Sequence, residues 1–347
     1  MTTDVDLSTN NDSDHALAGR YELIRCLAKH GSCSVYKAND RALRRPVAIK
    51  VLTEQIVSDE ELRRFHRGAL AACAVKHENC VQMYDFGMTP DERPYMVMEF
   101  VAGSTLRRAV QERGPLTASK AVQIAILICE GLRAIHANAL VHRDLKTANI
   151  MVDEIDCDNP TVKILDFGLA KLAIPVEPAR PITKTGHIVG SPVYMSPEQV
   201  KGQHLDSRSD IYSTGCIMFE LLTGEPLFLG KTSLQTMSMH VMMPPPTLSE
   251  AAPRRSFLPI LEEIISRAVA KNPEDRFQTA DEMLEMLKSA AEQIRDEEYL
   301  RTEQTPAHPL PATCPRPKLA ILFVIAILLL TAGIGTLVFL AKTNQLF

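Results

Sequence analysis

Residues 142–149 read HRDLKTAN, and residues 166–168 read DFG. The first stretch places Asp144 two residues before Lys146, with Asn149 close behind. A carboxylate, an ammonium and an amide oxygen in one short loop suit phosphoryl transfer. That reaction needs a hydroxyl nucleophile placed in line and the charge around the γ-phosphate neutralised. Asp144 is placed to accept the hydroxyl proton, Lys146 to neutralise charge on the transferring phosphate, and Asn149 to offer an oxygen to Mg²⁺. One Asp beside one Lys would be an ordinary exposed ion pair. Eight residues in this order, followed by DFG, argue against that reading.

Such a loop has to be held by regular elements. HRDLKTAN lies between two apolar segments, Ala139–Val141 and Ile150–Val152, which read as short strands. Upstream, Tyr21–Leu27, Val35–Ala38, Val47–Leu52, Val81–Gly87 and Tyr95–Phe100 carry the β-branched and apolar alternation of strands. A helix over Asp59–Val75 interrupts them. After Gly103 the pattern turns helical: Ser119–Asn138 carries apolar residues at 122, 124, 125, 128, 132 and 135, close to a 3.6-residue period. A small strand-rich part followed by a larger helical part is an α+β arrangement.

The two motifs, in this order and at this distance, resemble those of eukaryotic-like (Hanks-type) serine/threonine protein kinases, and the likeness spreads over residues 21–288. The resemblance implies a bilobal protein-kinase fold, with a small β-rich N-lobe and a large helical C-lobe. It implies ATP and Mg²⁺ (or Mn²⁺) as cofactors and Ser or Thr of proteins as substrates. It makes Asp144 the catalytic base, with Lys146 and Lys50 as its catalytic companions, and Asn149 and Asp166 the metal ligands. Lys50 closes VAIK at 47–50, where the family lysine holds the α- and β-phosphates. Met98, Glu99, Phe100 and Val101 match the gatekeeper and hinge that receive adenine, and Ala48 is carried over to the nucleotide site with them. SPEQ at 196–199 resembles the APE motif, so Glu198 would pair with Arg276, and Asp210 would orient the catalytic loop. Lys146 favours Ser/Thr over tyrosine substrates, and GSPVYMSPEQ at 190–199 resembles the GTPxYMxPEQ of bacterial receptor-like kinases. Thr183 and Thr185 are candidate phosphorylation sites on an activation segment at about residues 169–195, which Arg143 would read.

Two departures from the family pattern fall on the nucleotide side. The phosphate loop GxGxxGxV aligns with Ala28, Lys29, His30, Gly31, Ser32, Cys33, Ser34 and Val35, after Leu27. Ala28, His30 and Cys33 occupy the three glycine places, which normally let backbone N–H groups approach the phosphates. In the helix, Arg64-Phe65-His66-Arg67-Gly68-Ala69 puts Gly68 where the glutamate partner of Lys50 belongs. Glu61 lies seven residues earlier, about 10 Å away along a helix. Two readings follow: an active kinase with a weakened nucleotide clamp, and a membrane-tethered pseudokinase acting as a scaffold or allosteric binding module.

The chain has 347 residues, a net charge of −4 and no basic stripe, so nucleic acid is not an expected partner. Its eight cysteines form no CxxC pair and read as buried or incidental thiols. Residues 1–20 are polar and acidic and read as a disordered leader. Residues 289–318 extend the last helix and then break at Pro306, Pro309, Pro311, Pro315 and Pro317 into a stiff spacer. Leu319 to Ala341 carries no charge, and as a helix it would span about 34 Å, enough for a bilayer core. Arg316 and Lys318 before it place the kinase region in the cytoplasm and the tail at 342–347 outside. The lipid bilayer is then a partner through residues 319–341, and a second copy of the chain is another, for autophosphorylation.

Overall fold

The computed structural model describes residues 16–17, 19–30, 33–53, 55–56, 58–153, 155–157, 159–167 and 192–304. These residues build the expected α+β, two-lobed arrangement. The chain divides into a compact unit through Asp296 and a second unit from Glu297, of which residues 297–304 are described as helix.

The small lobe is a six-stranded antiparallel sheet in the order β1-β2-β3-β4-β6-β5. Its strands are β1 (Ala16–Leu17), β2 (Tyr21–His30), β3 (Cys33–Asp40), β4 (Arg45–Leu52), β5 (Met83–Met88) and β6 (Pro94–Glu99). Period-2 alternation decides which face each side chain takes. On β4, Val47, Ile49 and Val51 pack with Tyr21, Ala38, Tyr95 and Val97 in a satellite cluster on one face. Ala48 and Leu52 join the main core on the other, with Phe65, Ala69, Met96 and Met98. Lys50 lies between Ala48 and Leu52 on that second face, so strand geometry alone sends its ammonium towards the interior.

Helix α1 (Asp59–Ala74) covers this face. Ser58 and Glu61 form a reciprocal cap at its start, and Asp59, Glu60 and Glu61 complement the positive end of its dipole. Phe65, Gly68, Ala69 and Ala72 recur at helical spacing and form its buried stripe.

The large lobe holds α2 (Leu106–Arg113), α3 (Ala118–Ala137), α4 (Pro197–Lys201), α5 (Ser207–Thr223), α6 (Ser233–Met242), α7 (Leu248–Ala251), α8 (Pro259–Ala268) and α9 (Ala280–Gln304). It also holds a small sheet of β7 (Ser104–Thr105), β8 (Ile150–Asp153) and β9 (Thr161–Ile164), in that order. Helix α5 is buried along nearly its whole length, from Ser209 to Leu222. Gly131 of α3 allows a close approach: a Cβ there would meet Ile164 Cδ1 at 2.8 Å and the Asn79 carbonyl at 3.0 Å. The strand leading to Asp166 therefore seats directly on α3.

The expected strand at Ala139–Val141 does not form. Ala139 turns to a φ of 55°, and the N–H of Leu140 returns to the Ile135 carbonyl at 3.3 Å. These bonds close the end of α3 and leave the three apolar residues no ladder to join. The second flank, at Ile150, is a strand as expected.

No disulfide joins the described cysteines. Burial pushes the Cys80 and Cys129 thiols up to about 12, which fits inert core thiols. Among the described residues no helix is long and apolar enough to cross a membrane, and the expected span at 319–341 lies outside them. The proline spacer, Thr183 and Thr185, and the expected leader through residue 15 also lie outside the described residues. The end of that leader is ordered, contrary to expectation: Ala16–Leu17 form β1 against β2, and Arg20 pairs with Asp40 at 2.7 Å.

Candidate active site

The catalytic loop hangs from α5. The buried Asp210 carboxylate accepts the backbone N–H of His142 at 2.8 Å and that of Arg143 at 3.0 Å. His136 Nε2, at the end of α3, lies 2.8 Å from the same carboxylate. One acidic group on a packed helix thus fixes two successive amides, the role expected for Asp210. His136 was not singled out from the sequence; nothing local distinguishes it from any other last-turn histidine. Arg143 takes a φ of 66° and Asp166 a φ of 59°. Left-handed backbone costs a non-glycine residue roughly 1–2 kcal/mol, so both conformations need external fixing.

Asp144, Lys146 and Asn149 meet as the sequence suggests. Lys146 Nζ donates to Asp144 Oδ2 at 2.8 Å. Asn149 Nδ2 donates to the Asp144 carbonyl at 2.8 Å and to its Oδ2 at 3.2 Å. With its nitrogen turned to Asp144, Asn149 keeps its oxygen for another partner. The Asp144 side chain remains 35% exposed, open to an incoming hydroxyl.

DFG is joined to this loop through the backbone. The N–H of Leu165 donates to the Asn149 carbonyl at 2.8 Å, and His142 Nε2 lies 2.8 Å from the Leu165 carbonyl. Asp166 is thereby brought beside Asn149, while Phe167 is buried. A carboxylate and an amide oxygen are hard donors of the kind Mg²⁺ prefers.

Across the cleft, Lys50 Nζ pairs with Asp166 Oδ1 at 2.9 Å. Burial alone would lower the Lys50 pKa, yet the nearby groups, the Asp166 carboxylate foremost with Cys33 and Asp144, outweigh it and raise the pKa above the ordinary lysine value. Burial likewise works against the ionised Asp166, and the Lys50 ammonium holds its carboxyl below the usual range. Glu61 serves the cap of α1, where its carboxylate receives the Ser58 N–H at 3.2 Å. Gly68 lies on the buried stripe of α1, where a side chain would point into the lobe.

The phosphate-loop segment is a tight antiparallel hairpin. Ala28 pairs with Val35, Lys29 with Ser34 and His30 with Cys33. Gly31 and Ser32, between them, lie outside the described residues. Ala28 and Cys33 sit within the ladder, with Cys33 and Ser34 buried and Leu27 and Lys29 exposed. At the hinge, Met98 is buried opposite Ala48. The Glu99 N–H donates to the Gln82 carbonyl at 2.8 Å, and its carboxylate accepts from Lys163 at 2.9 Å. Phe100 packs against the core with Lys37 Nζ 4.4 Å from its ring centre, and Val101 is half-buried beside it.

Glu198 and Arg276 meet as expected, at 2.8 Å and fully inside the large lobe. Sequence reading missed a second brace. Tyr194 donates to Glu220 at 2.6 Å and its hydroxyl lies 2.7 Å from Thr147 Oγ1, tying residues 192–194 to the catalytic loop. No local pattern announces that trio, because its members lie on three separate segments.

Residues 21–288 match the family model for the protein kinase domain. The chain belongs to the protein kinase family. Its kinase domain is 39% identical over 271 residues to the serine/threonine-protein kinase PknB of Mycobacterium tuberculosis, covering 77% of this chain and 42% of that one. It is 38% identical to a probable serine/threonine-protein kinase of Streptomyces coelicolor, covering 77% of this chain and 39% of the relative. The matched region therefore spans about two fifths of these relatives' length. A crystal structure of the Mycobacterium tuberculosis PknI kinase domain, solved as a double mutant, superposes with a TM-score of 0.63 at 23% identity. It covers 82% of this chain and 100% of that one, a likeness of fold.

Proposed function

We propose that the chain is a serine/threonine protein kinase that moves the γ-phosphate of ATP to Ser or Thr hydroxyls of protein substrates. The observation that carries this reading is the convergence of Asp144, Lys146 and Asn149 beside the Lys50–Asp166 pair. Asp144 takes the hydroxyl proton as the substrate oxygen bonds to phosphorus and the bond to ADP breaks. Lys146 lies 2.8 Å from Asp144 and follows the phosphoryl group as charge develops on it. Lys50 orients the α- and β-phosphates. Asn149 and Asp166 would hold Mg²⁺ or Mn²⁺, which supplies neutralisation of the phosphate oxygens when bound. Ala48, Met98, Glu99 and Val101 form the adenine side of the site. The names of the relatives at 38–39% identity support the Ser/Thr preference.

The uncharged stretch at 319–341 is the proposed membrane anchor, with the kinase domain on the cytoplasmic side. Autophosphorylation between two tethered copies fits that placement.

The full chain, with Mg²⁺, labelled ATP and a basic carrier protein, is expected to label the carrier or itself. Asp144→Asn should reduce the label by about 10²–10⁴-fold. Equal label from the two would sink the reading. It would favour the pseudokinase alternative, which Gly68 and the substituted hairpin support; a melting-temperature shift with ATP would then show whether nucleotide binding persists.

Gly68 carries its own expectation. Gly68→Glu offers Lys50 a carboxylate from the buried stripe of α1 and should raise the transfer rate roughly threefold to tenfold. An unchanged initial rate would mean that Asp166 and the nucleotide already orient Lys50 fully.

A further inference from the structure

The proposed transfer depends on where Asp144 points, and the inference made here rests on that reading. The backbone on either side of Arg143 is tied from outside the loop. Its N–H goes to Asp210 Oδ1 at 3.0 Å, and its carbonyl accepts from Gln199 Nε2 at 2.6 Å. Gln199 is half-buried on α4, 56 residues further along the chain. Its amide has a second task. Gln199 Oε1 accepts the Ser196 N–H at 3.0 Å, while Ser196 Oγ accepts the Gln199 N–H at 3.3 Å, a reciprocal cap of α4.

The two tasks use different atoms. A cap needs only the side-chain oxygen, and glutamate serves there as well as glutamine. The bond to Arg143 needs a donor, which an ionised glutamate lacks. Arg143 sits at a φ of 66°, so its following peptide is not held in place by backbone preference. The next N–H, that of Asp144, reaches only His142 Nδ1 within the loop, at 3.3 Å.

We propose that Gln199 is a positioning residue for phosphoryl transfer. Its amide N–H fixes the Arg143–Asp144 peptide and, through it, the direction of the Asp144 carboxylate. Position 199 therefore requires a hydrogen-bond donor and not only a helix cap. Gln199 touches neither nucleotide nor hydroxyl; it acts through Asp144.

The test compares the full chain as wild type, Gln199→Glu, Gln199→Met and Asp144→Asn. Each is assayed with labelled ATP, Mg²⁺ and the basic carrier protein, and each is melted. Gln199→Glu keeps the cap and should melt within about 2 °C of wild type. It should nevertheless lose roughly tenfold or more in kcat, with KM for ATP changed by less than about twofold. Gln199→Met lacks both atoms; it should lose as much kcat and also melt lower. A wild-type kcat for Gln199→Glu beside a damaged Gln199→Met makes Gln199 a cap alone and overturns the inference. A loss that appears in KM for ATP instead of kcat also overturns it. If Asp144→Asn labels as well as wild type, the kinase reading fails and this inference falls with it.

Discussion

Arg276→Ala is expected to lower the melting temperature by roughly 10 °C or more, a larger stability effect than any other change proposed for this chain. Arg276 is fully buried and directs every guanidinium N–H to an acceptor. Nε donates to the Ala270 carbonyl at 2.7 Å, and the terminal nitrogens meet both Glu198 oxygens at 2.8 Å. The Arg208 and Lys271 carbonyls accept the rest, at 3.0 and 3.1 Å. Tyr212 lies under the guanidinium, 4.8 Å from ring centre to Cζ. Truncation leaves the Glu198 charge buried without its partner, and breaking one side of such a pair costs about 3–5 kcal/mol. At about 2–4 °C per kcal/mol in a domain of this size, the melting shift follows. A shift below about 3 °C would show that the pair is not a brace. Removing both charges, as Arg276→Met with Glu198→Leu, should recover much of the loss.

The same pair sets an acid limit. Burial alone would raise the Glu198 pKa, but the Arg276 bonds outweigh it and hold the carboxyl below its ordinary range. A depressed carboxyl contributes stability that is complete above its unfolded pKa, near about 4.3, and is lost as pH falls through the lower folded value. The wild-type melting temperature should therefore fall through that acid window, and Glu198→Gln should show a lower but flatter profile there.

Asp166→Ala is expected to take phosphoryl transfer down by about 10³-fold, because several kcal/mol of charge stabilisation at the phosphates go with it. The change does two things at once. It removes a hard oxygen donor beside Asn149, and it leaves the buried Lys50 ammonium without the carboxylate 2.9 Å away. Desolvation then acts on Lys50 without its main opposition, with only Cys33 and Asp144 still favouring the ammonium, and its pKa falls. With Gly68 on the buried stripe of α1, the helix offers no carboxylate at that position to replace the lost charge. Initial rates of labelling measure the effect; a variant within tenfold of wild type would remove Asp166 from the centre of the chemistry.

Much of this site was legible because its parts are contiguous. HRDLKTAN and DFG each carry their chemistry within a few residues, and VAIK sits on a strand whose alternation fixes the direction of Lys50. The helix expected over Asp59–Val75 forms over Asp59–Ala74, with an acidic first turn and apolar residues at helical spacing. The error at Ala139–Val141 has a simple origin. Three apolar residues look alike in a strand and in a helix-closing turn, and only the bond from Leu140 to Ile135 decides. Tertiary contacts that the family resemblance does not carry were out of reach, unlike those of Glu198 and Asp210. Nothing in the sequence joins Gln199 to Arg143, or Tyr194 to Thr147 and Glu220, since each bond spans separate elements. The place of Gly68 was readable by register. The turn of the lysine to Asp166 is set by tertiary packing.

The catalytic loop hangs from Asp210 on a helix that is buried from Ser209 to Leu222, whereas Ile24, Arg25, Cys26, Leu27 and Lys29 of the β2–β3 hairpin are exposed. These two regions face different mutational risk. A substitution near Asp210 threatens the whole fold and is removed by selection for stability, whatever its effect on chemistry. A substitution at an exposed position of the hairpin costs little stability, so it is free to accumulate. Ala28 lies on β2 of that hairpin, whereas Cys33, on its partner strand, is buried in the main core. Changes at the exposed positions of this hairpin are therefore expected to spare the packing that holds the catalytic loop.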